Sequence, residues 1–306
     1  MNGSAGYLDA SRGPALRHVL CAHPGGLHRM AYREWPAAGA ERRTVVCVHG
    51  LTRTGGDFDR LAEVLSAEGS RIVCPDIAGR GGSDRLSDPA LYDVPQYLAD
   101  CATLLARLDR ERVDWVGTSM GGLIGMTLAS LPGNPIERLL VNDVGPVLAR
   151  AGLARIAGYV GNAHRYPDFA SAEAALRVTM RPFGPHTDEE FRLLSRHYFV
   201  ERDGAWVAHY DPAIAQAFAE PPAEDIVLWP LWETIVCPVT VMRGEESDLL
   251  DAETAGLMER GGPEGRGPRA RLVTVAGVGH APTLIKDDQI DIVRRFLDDR
   301  SVPARD

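Results

Sequence analysis

The chain has 306 residues, 45% hydrophobic and 25% charged, the make-up of a soluble globular protein long enough for one large domain or a core with an inserted lobe. Its net charge of -9, with no dense Lys/Arg run, argues against a nucleic-acid binder, which works through basic patches. Nowhere do about 18 apolar residues run together to span a membrane, residues 1–16 lack the apolar stretch of a signal peptide, and five scattered cysteines without C-x-x-C read as buried reduced thiols, so a cytoplasmic protein is expected.

After a loosely ordered start, residues 16–21 and 28–35 read as an antiparallel pair at a sheet edge. Residues 43–49 contain Thr44-Val-Val-Cys-Val48, a continuous apolar run that marks a strand buried on both faces. Residues 58–68 carry helical spacing at Phe58, Leu61, Ala62, Val64 and Leu65, closed by Gly69. A strand over 71–76 leads into the turn-rich Gly79-Arg-Gly-Gly-Ser-Asp84, and a helix over 94–108 carries Pro95 near its first turn. Another buried strand is expected over 137–144. The alternation predicts an α/β fold, a mostly parallel sheet with helices on both faces.

That alternation lapses over 146–236. The segment reads as helices at 147–160, 171–180, 188–199 and 212–219 around a polar turn, Arg202-Asp-Gly204. It then resumes with strands at 238–243 and 271–275 and helices at 252–260 and 289–298. One core, residues 1–145 and 237–306, interrupted by one helical insertion at 146–236 accounts for this better than two tandem domains.

Between the two halves of the first alternation lies Val113-Asp-Trp-Val-Gly-Thr-Ser-Met-Gly-Gly-Leu-Ile-Gly-Met126. Gly117-Thr118-Ser119-Met120-Gly121 fits G-x-S-x-G, in which a serine stands on a sharp strand-to-helix turn and the next N–H points at the same spot. A serine hydroxyl needs a base within reach. His280, in the glycine-rich Ala276-Gly-Val-Gly-His-Ala-Pro282, sits where parallel strands deliver their C-terminal ends, the edge at which such sheets bind ligands. The imidazole in turn needs an acceptor. Asp248, in Glu245-Glu-Ser-Asp248 at the same edge, is favoured; Asp143, ending the strand before the insertion, is the rival. The N–H groups of Leu51 and Met120 can converge on one oxyanion, with His49 bracing the turn.

These segments closely resemble the α/β-hydrolase fold family over about residues 17–299, through Gly117–Gly122, Asp76-Ile-Ala-Gly-Arg-Gly-Gly-Ser-Asp84 and Gly279-His-Ala-Pro282. The resemblance implies a catalytic triad of Ser119 as nucleophile, His280 as base and Asp248 as acid, Leu51 and Met120 as oxyanion donors, and a helical cap at the insertion. Serine rather than aspartate at the elbow argues against epoxide hydrolases and haloalkane dehalogenases. A carboxylesterase acting on small to medium acyl esters is the first expectation. Hydrolases of carbon–carbon bonds in ring-fission products share the triad and cap, but usually carry a more glycine-rich segment than Leu51-Thr-Arg-Thr-Gly-Gly56. Lactonase, thioesterase and acyltransferase chemistry and a ligand receptor on the same fold are the other readings.

Twelve of the chain's twenty aromatic residues fall in the insertion, which suits an apolar roof over a small-molecule ester site. Arg53, Trp206 and Tyr210 are the candidate pocket residues; His209-Tyr210-Asp211 reads more readily as a loop brace. His23 and His28 lack a third ligand nearby in the sequence, and the Gly79–Asp84 turn is neither a dinucleotide fingerprint nor a P-loop, so no metal and no cofactor is expected. A monomer or homodimer is expected.

Overall fold

A computed structural model describes residues 13–220 and 222–299; the expected loose start therefore lies largely outside the described residues. Strands β1 (Ala15–His23) and β2 (Gly26–Trp35) form the expected antiparallel hairpin. There follow β3 (Arg43–Val48), α1 (Asp59–Ala67), β4 (Ser70–Pro75), α2 (Val94–Leu108), β5 (Val113–Thr118), α3 (Met120–Ala129) and β6 (Ile136–Asn142). Along β3 the apolar residues divide by parity. Val46 and Val48 face one core with Trp115 and Ile124, while Val45 and Cys47 face another with Leu61 and Phe296. A strand buried on both faces has no need of alternating polarity, which is why this run is apolar throughout.

The described residues of 147–236 add no strand to the main sheet. They hold β7 (Val147–Leu148), α4 (Arg150–Ala157), α5 (Phe169–Thr179), α6 (Asp188–Ser195), β8 (Phe199–Arg202), β9 (Ala205–Ala208), β10 (Ile226–Val227) and α7 (Trp229–Trp232). The segment is less helical than its sequence suggests. Val147 and Leu148 pair with β10, and Pro212–Phe218 is a 3-10 helix. Helix α6 starts with a Thr187–Glu190 capping box and gives way to the β8–β9 hairpin, whose turn is the polar Arg202-Asp-Gly204. Alternation within Phe199–Ala208 is short and mixed with aromatic residues, so helical spacing and strand spacing look alike there.

The chain closes with β11 (Val239–Gly244), α8 (Ala252–Arg260), β12 (Arg271–Val275) and α9 (Asp287–Asp298). The eight-stranded sheet runs β1-β2-β4-β3-β5-β6-β11-β12, parallel from β4 onward. Parallel order brings the C-terminal ends of β3, β5, β6, β11 and β12 to one edge. The turns that follow those strands carry His49, Ser119, Asp143, Ser247 and His280.

Candidate active site

Ser119 sits between β5 and α3 with φ 51° and ψ -114°, a conformation side chains rarely adopt. It holds because the neighbours are glycine. A Cβ on Gly117 would overlap the Gly121 carbonyl, and one on Gly121 would overlap the Val48 carbonyl of β3. The tight turn is pinned further by Trp115, whose indole N–H donates to the Gly121 carbonyl at 3.0 Å, and by the Ser119 N–H, which donates to the Asn142 carbonyl at 2.8 Å.

His280 Nε2 lies 2.9 Å from Ser119 Oγ, and His280 Nδ1 lies 2.8 Å from Asp143 Oδ2. Asp143 is fully buried at the end of β6, with φ 59° turning its side chain back toward the histidine loop. Its carboxylate also accepts from the Gly244 N–H at 2.9 Å and the Ser247 hydroxyl at 2.7 Å. These donors satisfy the buried carboxylate, which fixes the proton of His280 on Nδ1 and leaves Nε2 to face the serine.

Asp248, the expected carboxylate, is not there. It is half exposed and bound by Arg155 of α4. The cause is the turn after β11: the Ser247 hydroxyl takes the N–H groups of Leu249 and Leu250 at 3.2 and 3.1 Å as well as donating to Asp143. That turn directs residue 247 inward and residue 248 outward. Of the two carboxylates at this edge, the structure brings Asp143 to His280.

The turn after β3 approaches from the other side; a Cβ built on Gly50 would stand 3.7 Å from the Cβ of Ser119. His49 accepts from the Ile77 N–H through Nε2 at 3.0 Å, so its proton is on Nδ1, which donates to the Gly50 carbonyl at 2.7 Å. Burial pushes its pKa down to about 3, keeping it neutral. His209 braces the same turn from residues 147–236: its Nδ1 accepts from the Gly81 N–H at 2.9 Å and its Nε2–H donates to the Thr52 carbonyl at 3.1 Å. Burial holds this imidazole neutral too. Arg80, wholly buried, donates to the Leu51 carbonyl at 2.9 Å. Asp76 ties the far side together by accepting from Gly55 and Gly82 N–H at 2.7 and 2.8 Å.

A cavity of about 30 Å³ lies against the residues flanking Ser119. His49, Gly50 and Thr118 form one wall, Ala281 and Pro282 another, and Met180, Phe183 and Leu194 the roof. Arg53 lines it, forked onto Asp57 at 2.6 and 2.7 Å and donating to the Leu194 carbonyl at 2.8 Å. The other two pocket candidates do not line it. Trp206 packs edge-on against Phe169 at 5.0 Å, and Tyr210 is buried against Tyr198 and His209. Both hold residues 147–236 together.

The sequence assigns no role to Arg80 or Asp76, although both stand in the Asp76–Asp84 segment that carries the family resemblance: buried polar residues leave no periodic signal. It also gives no sign that the hairpin folds onto α2, bringing Cys21, His28 and Asp100 within 4.8 Å of one another. These groups serve one another, with His28 Nε2 2.9 Å from Asp100 Oδ2 and Gln96 donating to Asp100 Oδ1 at 2.7 Å.

Residues 45–294 match the model of the alpha/beta hydrolase family, and the chain belongs to that family. It is an ester-hydrolysing enzyme of the serine-hydrolase type. Among its relatives is a 3-hydroxybutyrate-oligomer hydrolase of Cupriavidus necator, 46% identical over 94% of this chain and 99% of the relative. A solved structure from Rickettsia typhi superposes with a TM-score of 0.84 at 29% identity, covering 94% of this chain and 99% of the other. An alpha/beta hydrolase from Novosphingobium aromaticivorans gives 0.81 at 34% identity, covering 94% and 98%.

Proposed function

We propose that the chain hydrolyses the ester bonds of short 3-hydroxybutyrate oligomers through an acyl-enzyme on Ser119. The observation that carries the chemistry is the unbroken line Ser119 Oγ–His280 Nε2/Nδ1–Asp143 Oδ2, with spacings of 2.9 and 2.8 Å. The substrate class rests on the near full-length likeness to the Cupriavidus necator enzyme.

In this reading Ser119 Oγ attacks the ester carbonyl while His280 Nε2 takes its proton. The carbonyl oxygen becomes an oxyanion held by the N–H groups of Leu51 and Met120. His280 then gives the proton to the departing alkoxide, which leaves as the hydroxyl end of one fragment. Water, deprotonated by the same imidazole, attacks the acyl-enzyme; the Ser119–acyl bond breaks, His280 returns the proton to Ser119 Oγ, and the carboxylate end of the other fragment is released. Asp143 stays ionised throughout and stabilises the imidazolium. Residues 146–236 act as a cap that excludes bulk water, a role supported by Met180, Phe183 and Leu194 roofing the cavity. The five free cysteines fit a cytoplasmic site of action.

The test is turnover of the 3-hydroxybutyrate dimer and trimer by the purified enzyme, with p-nitrophenyl butyrate as a neutral comparison. Ser119→Ala is expected to abolish both activities with unchanged melting. Hydrolysis of p-nitrophenyl butyrate but of neither oligomer would remove the substrate assignment and leave the esterase.

A further inference from the structure

Arg80 is wholly buried, yet no carboxylate among the described residues lies within ion-pair distance of it. Arg33, Arg53, Arg71 and Arg138 each pair with an acid. A buried guanidinium without a counter-ion is costly, because no opposite charge answers its own. Its contacts say what it does instead. Nε donates to the Leu51 carbonyl at 2.9 Å, Nη1 to the Ala78 carbonyl at 2.7 Å and to the Tyr97 hydroxyl at 2.9 Å, and Nη2 faces Met120 Sδ at 3.7 Å. The rings of Tyr97 and Tyr92 lie 5.0 and 5.8 Å from its central carbon, offering π faces in place of an acid.

Leu51 and Met120 come from different strand ends, yet one side chain touches both. Arg243 is a useful contrast. It too is buried and donates to carbonyls, those of Leu250 and Glu245, but it reaches neither element of the oxyanion site. We propose that Arg80 is a positioning residue for ester cleavage: it holds the Leu51 and Met120 N–H groups in register, and its unneutralised charge favours the tetrahedral oxyanion over the neutral ester. The proposal rests on Ser119 being the nucleophile. Charge that the ground state does not use and the transition state does is the kind that raises kcat rather than lowering KM.

The experiment compares wild type, Arg80→Met, Arg80→Lys and Tyr97→Phe on neutral p-nitrophenyl butyrate, with active sites counted by endpoint labelling with a fluorophosphonate. Arg80→Met is expected to lose kcat per labelled site by about 10- to 100-fold, below the 10²–10³ of a deleted donor, with KM changed by less than about threefold. Arg80→Lys should recover part of the loss. Tyr97→Phe, which keeps the charge and removes one hydrogen bond, should lose less than Arg80→Met. A tetrahedral boronic-acid inhibitor should lose affinity in parallel with kcat.

Unchanged kcat per site in Arg80→Met, with only a lower melting temperature, would overturn the proposal in favour of a packing role. So would a KM effect confined to carboxylate-bearing oligomers, which would make Arg80 a substrate anchor. Should Arg80→Met not fold, the Tyr97→Phe and Arg80→Lys kinetics decide: no kcat change in either sinks the idea. Failure of the underlying reading looks different, since wild type itself would then resist the fluorophosphonate or Ser119→Ala would still turn over.

Discussion

At the scale of single residues, two carboxylates at one sheet edge have opposite fates. Asp143 is sealed in and receives three hydrogen bonds from Gly244, Ser247 and His280. Asp248 faces solvent beside Arg155. Asp143→Asn keeps the shape and removes the charge that, in the proposed mechanism, stabilises the imidazolium, so kcat is expected to fall on the order of 10⁴. Asp248→Asn breaks only an exposed ion pair, worth about 0–1 kcal/mol, and should leave kcat near wild type. Side-by-side kinetics on one ester check both, and the reverse ranking would refute the assignment.

His49 gives a second residue-scale expectation. Its neutral form is fixed by burial, then by the nearby Arg80 and Arg53 charges, with a pKa of about 3 against an ordinary 6.5. Below pH 6.5 the unfolded chain takes up a proton there that the folded chain refuses, so this residue's share of stability is intact above pH 6.5 and shrinks as pH falls. The slope is about 1.4 kcal/mol per pH unit. Asp114, raised to about 6 by burial, acts with the opposite sign over part of the range, so the raw curve mixes the two. The clean quantity is the gap between wild type and His49→Gln in urea unfolding. That gap should narrow by about 1.4 kcal/mol per unit between pH 6 and 4. A constant gap would mean that the folded protein protonates His49 freely.

At the scale of elements, legibility tracked the source of the signal. The strands of the sheet and helices such as α2, α8 and α9 announce themselves, because a buried strand must be apolar throughout and a covering helix must repeat its apolar face. The meeting of Ser119 with His280 was legible for a related reason: parallel strands deliver their turns to one edge, whatever the turns contain. The carboxylate was not legible. Both Asp143 and Asp248 follow a strand to that edge, and the choice is made by a positive φ at Asp143 and by the hydrogen bonds of Ser247, neither of which has a sequence period. Of the four helices expected in residues 146–236, three form in part as α4, α5 and α6, whereas the β8–β9 hairpin gave no legible signal, because its order comes from aromatic packing, Phe169 against Trp206 and Tyr198 against Phe199, and not from a repeating face. Trp206, a pocket candidate on its sequence, works inside this packing.

At the scale of the whole molecule, the cavity beside Ser119 is too small for its substrate. About 30 Å³ holds two waters or so, whereas pockets that enclose small molecules run to about 300–1,000 Å³. Residues 147–236 are fastened to the core on both sides of the site. On the histidine side the Gly279 N–H donates to the Pro182 carbonyl at 2.7 Å and His186 meets Thr283 at 3.1 Å; on the other, the Asp211 N–H donates to the Gly79 carbonyl at 2.8 Å. An ester that reaches Ser119 through this cavity needs one fastening to let go, and the histidine side is the one bordered by Phe183 of the cavity roof. A covalent lock tests this. A Cβ placed on Gly184 would stand 3.7 Å from the Val278 Cβ, close to the ~3.8 Å separation of a disulfide, although φ +92° at Gly184 adds about 1–3 kcal/mol of strain. In the Gly184→Cys, Val278→Cys double variant, oxidation should suppress ester hydrolysis and dithiothreitol should restore it, while each single variant stays active under both conditions. Full turnover by the oxidised double variant, with the bridge verified by mass, would move the entrance to the Gly79–Asp211 side.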